Sequence, residues 1–191
     1  MTFDLMDPKL IAGVVVVILV IVVAVALYVR KRRTTAGLRQ RFGPEYARAV
    51  QTHGSERRAE AKLVDREKRV EKLKIRDLDP TERERFSDQW NSVQSRFVDF
   101  PKGAVTEADE LVSSLMQTRG YPVTNFDQGA ADISVDHPRV VDNYRSAHEI
   151  ALRLRKGEAS TEDLRTAMIQ YRSLFEDLLQ VRTPGDKRDV A

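Results

Sequence analysis

The residues with chemistry beyond packing are three histidines, His53, His137 and His148, and the aspartates and tyrosines around the last two. Asp132, Asp136 and His137 together form an oxygen–nitrogen set of the kind that holds a divalent metal. His148 follows Tyr144 by four residues, so the two share one face of a helix. The region Asp132–His148 is therefore where an enzyme or metal-binding reading has to be placed. Simpler readings compete with it. Asp136 precedes Pro138, and helix starts favour carboxylates that accept from free N–H groups. A histidine on an inner helical face is ordinarily a hydrogen-bonded core residue. The adjacent carboxylates Asp109-Glu110 and Glu176-Asp177 point apart on a helix and are expected in solvent rather than as an acid–base pair. Trp90, with Phe86 and Phe97 at helical spacing, reads as core rather than as an aromatic binding surface.

The absence of cysteine excludes disulfides, thiolate metal sites and thiol nucleophiles. No phosphate-cradling glycine loop, nucleophile elbow or HExxH helix is present. The expectation is a protein that is not an enzyme, with no catalytic, cofactor-binding or metal-ligating residue to assign.

The elements that position these residues follow from how charge is distributed. The 191 residues carry a formal net charge of +3, with 41% hydrophobic and 32% charged residues. Residues 1–29 carry a net of −1, residues 30–76 hold 16 basic and 6 acidic residues, and residues 77–191 hold 15 basic and 21 acidic. The chain thus has an uncharged run near its start, then a basic segment, then an acidic remainder.

The uncharged run is Leu10–Val29, LIAGVVVVILVIVVAVALYV, 20 residues with no polar stripe. At about 1.5 Å per residue it spans about 30 Å, the hydrocarbon thickness of a bilayer. In lipid a lone strand leaves its peptide groups unpaired, so a transmembrane helix is expected. A cleaved signal peptide fits less well, because Asp4 and Asp7 make the preceding segment acidic and Ala24-Val25-Ala26 sits inside the run. Arg30, Lys31, Arg32 and Arg33 follow directly. The positive-inside rule then places residues 1–9 outside and the bulk of the chain in the cytoplasm. These four residues are the expected contacts with anionic headgroups, each contributing about 1 kcal/mol near the surface. The span contains no ionisable group and no GxxxG pair, so it reads as an anchor rather than as a transport path.

The basic segment, residues 30–76, is expected to be helical in two pieces. Pro44 opens the first, Gly54 ends it, and Ser55 caps the second. Ala59, Leu63, Val70 and Leu73 form a thin apolar seam that Arg66 interrupts, too short for a coiled coil. A nucleic-acid partner for Arg30–Arg76 is the alternative use of this charge, but stacking aromatics and known binding signatures are missing.

Residues 77–181 carry strong helix signals. Asp79-Pro80-Thr81-Glu82 combines an N-cap, a first-turn proline and a capping-box glutamate, and Ser160-Thr161-Glu162-Asp163 caps the last helix. Phe86, Trp90, Val93 and Phe97 form one apolar face. Ala104, Ala108, Leu111 and Leu115 form a second. Leu164, Met168, Tyr171, Phe175 and Leu178 form the third and strongest. Pro101 with Gly103, and Gly120 before Tyr121-Pro122, are read as breaks. A short helix is expected near Phe126–Ile133. Another is expected to start at Asp136-His137-Pro138, with Val141, Tyr144, His148 and Ala151 or Leu152 facing inward. The fold class is all-α: a transmembrane helix, a basic juxtamembrane helical segment, a bundle of four or five helices, and a charged, flexible tail at 182–191.

The runs Trp90–Asp99 (WNSVQSRFVD), Arg119-Gly120-Tyr121-Pro122, Ser134-Val135-Asp136-His137-Pro138 and Ser160–Arg165 resemble a family of bacterial single-pass membrane-anchored helical proteins with no assigned activity. The resemblance runs from about Leu38 to Leu179. It implies a bacterial cytoplasmic membrane address and carries over no site residue. The expected role is a scaffolding or protein-interaction module at the inner face of that membrane, with an unidentified protein partner.

Overall fold

The computed structural model describes residues 8–180, with side chains placed from Val15 onward. Among these residues the chain forms eight helices and no strand: α1 Pro8–Phe42, α2 Pro44–His53, α3 Glu56–Val70, α4 Pro80–Arg96, α5 Pro101–Thr118, α6 Phe126–Asp136, α7 Val141–Arg155 and α8 Thr161–Leu179. The all-α class is as expected. The chain divides into two compact units, Met1–Arg41 and Phe42–Ala191. The tails expected at 1–9 and 182–191 lie outside the described residues, apart from Pro8 and Lys9, which α1 takes in.

The first unit is built on α1. Its large apolar side chains from Val15 to Val29 are all exposed, between 40% and 62%. The membrane-spanning assignment of Leu10–Val29 is not met among the described residues, where no helix is long and apolar enough to cross a membrane.

In the second unit, α2 and α3 pack on each other and α3 packs on α6. The compact unit begins at Phe42 and takes α2 and α3 in. Gly54 closes α2 in the left-handed region, φ 72°, and the Ser55 side chain caps α3, both as the sequence predicts. Ala59, Leu63 and Val70 are the buried seam of α3, matched by Tyr46 and Ala49 on α2.

Helices α4 to α8 form the bundle, with α8 packed against both α5 and α7. The capping boxes are present at both predicted places. Asp79 accepts from the Glu82 amide at 2.8 Å while Glu82 accepts from the Asp79 amide at 3.1 Å. Ser160 and Asp163 make the same reciprocal pair. Phe86, Trp90 and Val93 are buried, and Trp90 stacks on Phe175 with ring centroids 4.7 Å apart. All five residues of the α8 stripe are buried.

Two local expectations are corrected, at Pro101 and at Asp136, and of the alternatives Ala151 or Leu152 it is Ala151 that faces inward. Pro101 opens α5 and Gly103 lies inside it, because a first-turn proline needs no N–H partner. Leu152 is exposed, and Ala147 and Ile150 take the inner face of α7 with Val141, Tyr144 and Ala151. Asp136 does not start a helix: α6 runs through it to a cap at His137, and α7 begins only at Val141. The Asp136 carboxylate instead accepts from the Tyr121 hydroxyl at 2.7 Å.

Arg119 and Gly120 fasten the α3–α4 connection to the bundle. Arg119 is 1% exposed and donates to the carbonyls of Arg76 and Leu178 and to Asp77 Oδ1, at 3.2, 2.9 and 3.1 Å. Arg83 reaches the Leu179 carbonyl at 3.0 Å. Two guanidiniums thus satisfy the last carbonyls of α8, where the helix dipole favours cations. Gly120, at φ 96°, passes so close to the connection that a Cβ would stand 2.5 Å from the Lys74 carbonyl oxygen.

Candidate functional site

On α1 the expected headgroup contacts Arg30, Lys31, Arg32 and Arg33 are all exposed, and the Arg32 guanidinium lies 5.3 Å over the Tyr28 ring.

The arginines of α3 behave differently. Arg66, which breaks the apolar seam, extends its Nη1 to Glu45 Oε1 at 2.6 Å and to Ser134 Oγ at 3.3 Å. Glu45, on α2, is 1% exposed and also receives Arg145 from α7, at 2.7 Å on Oε2 and 3.0 Å on Oε1. Burial pushes the Glu45 carboxyl up, but the hydrogen bonds and charges of Arg145 and then Arg66 outweigh it and hold it below the ordinary glutamate value. A second buried carboxylate, Asp132 on α6, takes Arg69 at 2.7 Å and the Gln128 amide at 3.0 Å. Two carboxylates therefore tie the basic α3 to α2, α6 and α7, and both are fully engaged in doing so.

Those contacts divide the metal candidates. Asp132 faces Arg69, Asp136 faces Tyr121, and His137, at 4% exposure, pairs with Asp177 from α8. Among the described residues no three histidine or acidic side chains converge as a metal would require.

His148 is the histidine that lines a cavity. Asp109 and Ser113 lie one turn apart on α5, and Tyr144 and His148 one turn apart on α7. With Asn125 and Phe126 at the start of α6 they line a partly open space of about 110 Å³. The Tyr171 hydroxyl donates to Asp109 Oδ1 at 2.8 Å, and His148 Nδ1 stands 3.5 Å from the same oxygen, too far for a good hydrogen bond. That Nδ1 is buried without a hydrogen-bond partner. Phe126 stacks on the His148 ring at 3.7 Å. Burial pushes the Asp109 carboxyl up, and His148 and Tyr171 more than reverse it, so Asp109 is ionised below the usual aspartate range. Burial pushes the Tyr144 phenol up to about 12 and Tyr171 further, so both remain neutral donors.

Asp109 is thus not the solvated residue its pairing with Glu110 suggests, and its side chain is only 21% exposed. Of the second pair, Glu176 is exposed on Arg172 while Asp177 takes His137. The signal that could have found the cavity is the repetition of four-residue steps, Asp109 to Ser113 and Tyr144 to His148, on two helices that meet. Compared with protein-family models, curated proteins and solved structures, the chain matches none of them.

Proposed function

We propose that the chain is a single-pass membrane-anchored helical protein. Leu10–Val29 is its anchor, Arg30–Arg33 its headgroup contacts, and Phe42–Ala191 an interaction or scaffolding module on the cytoplasmic side of a bacterial membrane. The observation that carries this reading is the first unit's helix, whose apolar side chains from Val15 to Val29 are exposed all round. A helix apolar on every face needs cover, and Leu10–Val29, at 20 uncharged residues, has the length that a bilayer covers. The basic run directly after it supports the orientation. Nucleic acid is the weaker use of the basic segment, because Arg66 and Arg69 are already neutralised by Glu45 and Asp132.

The absence of native cysteine makes the topology directly measurable. In intact cells a membrane-impermeant maleimide should label Thr2→Cys and spare Ala191→Cys, with labelling of the latter only after lysis. Labelling of Ala191→Cys in intact cells would overturn the orientation. Affinity recovery from membranes in mild detergent should return the same partner repeatedly, and repeated recovery of the chain alone contradicts the scaffolding role.

A further inference from the structure

We propose that the cavity between α5, α6 and α7 is a binding site for a small primary ammonium ion, a short alkylamine or the amino end of a larger ligand. The cavity leaves hydrogen-bonding capacity unused. Asp109 is a carboxylate, and its two oxygens have more acceptor capacity than the Tyr171 hydroxyl uses. His148 Nδ1 is buried without a hydrogen-bond partner, 3.5 Å from Asp109 Oδ1. That separation is too long for a good direct bond, so acceptor capacity remains on the Asp109 carboxylate. An ammonium group has three N–H donors and no acceptor. It can give one to the Asp109 carboxylate and one to the hydroxyl of Ser113, both of which line the space.

The walls select the rest of the ligand. Phe126 and Tyr144 stand with ring centroids 4.9 Å apart and line the space, offering aromatic surface to a cation and to a short apolar body. A volume of about 110 Å³ holds a few non-hydrogen atoms and excludes a bulky quaternary ion. A divalent metal fits less well, since among the described residues no third histidine or acidic ligand joins Asp109 and His148. This site does not depend on how the chain is anchored.

The test uses the full chain in detergent micelles, titrated with ethylammonium chloride and followed by thermal unfolding and calorimetry. Sodium chloride, ethanol and tetraethylammonium chloride serve as controls. The expected result is a saturable rise in Tm and a measurable heat with ethylammonium alone. Asp109→Asn should weaken that binding at least tenfold, and Arg172→Ala on the exposed face of α8 should leave it unchanged. Ser113→Leu retains the carboxylate and fills the space, so it should abolish binding even if Asp109→Asn fails to fold. An equal response to sodium chloride, no saturable response to ethylammonium, or undiminished binding in Ser113→Leu would each overturn the proposal.

Discussion

Replacing Glu45 with glutamine tests the polar joint between the basic helix and the bundle. The side chain keeps its shape, but the charge between Arg66 and Arg145 is lost and an amide N–H₂ meets at least one guanidinium. Removing one member of a buried ion pair costs about 3–5 kcal/mol, because the partner remains buried and uncompensated. Here the Arg66 and Arg145 side chains keep 17% and 12% exposure, and Arg145 retains Asp142 at 3.0 Å. The lower end of the range applies, about 3 kcal/mol. For a unit of this size that lowers Tm by about 10 °C. The same residue predicts a pH dependence. Its folded value lies below the ordinary one, so its stabilisation is complete above the unfolded glutamate range and disappears as pH falls through the folded value. Glu45→Gln should therefore lose less stability than the parent on acidification through that window. The control is the triple replacement Glu45→Met, Arg66→Met and Arg145→Met, which removes all three charges together and should regain most of the lost stability. Thermal and urea unfolding over a pH series measures each variant. A Glu45→Gln midpoint within about 1 °C of the parent, or a triple variant no better than the single one, refutes the reasoning.

Gly120→Ala should be far more damaging than Gly157→Ala, although both glycines have positive φ. At Gly157 the new Cβ meets open space and the cost is the conformational strain alone, about 1–2 kcal/mol, whereas at Gly120 the Lys74 carbonyl must also move. Arg119→Met should destabilise by about 3 kcal/mol in urea unfolding, since it strands the Leu178 and Arg76 carbonyls in a site with 1% exposure. Glu82 is drawn down to about 2 by its hydrogen bonds from Arg76 and the Asp79 amide, and Asp163 to about 2 by Ser160 and Arg153. The capping contributions of both should thus persist below the ordinary carboxylate range and fade as pH approaches 2, which NMR titration of the two carboxyls checks.

Local signals in the chain were sufficient wherever one residue type dictates one backbone outcome. Asp79, Pro80 and Glu82 must start a helix because each satisfies a particular free group of its first turn. Gly54 ends α2 because few other residues enter the left-handed region. The α8 stripe is legible for the same reason, since apolar periodicity names the face to be buried. What pairs with what across the fold is a different matter. Arg66 reads as a flaw in a seam because its partner Glu45 sits on another helix, and the Arg145 that completes the site lies 100 residues beyond Glu45. Asp136 looks like a helix cap because carboxylates before proline commonly are. Here the Tyr121 hydroxyl offers a bond that lets α6 continue to Asp136. Asp109 looks solvated beside Glu110 until α7 and α8 bring His148 and Tyr171 against it. Local rules specify helix ends and faces, while a polar site depends on which faces meet.

Alkaline carbonate extraction of membranes from cells expressing the full chain tests whether Leu10–Val29 holds the chain in a bilayer. The parent should stay in the pellet. The double variant Val20→Arg, Val23→Arg places two charges in the middle of the run, each costing about 2.5–3.5 kcal/mol of insertion free energy, and should move to the supernatant. A parent chain released by carbonate, or a double variant retained as fully as the parent, contradicts the account.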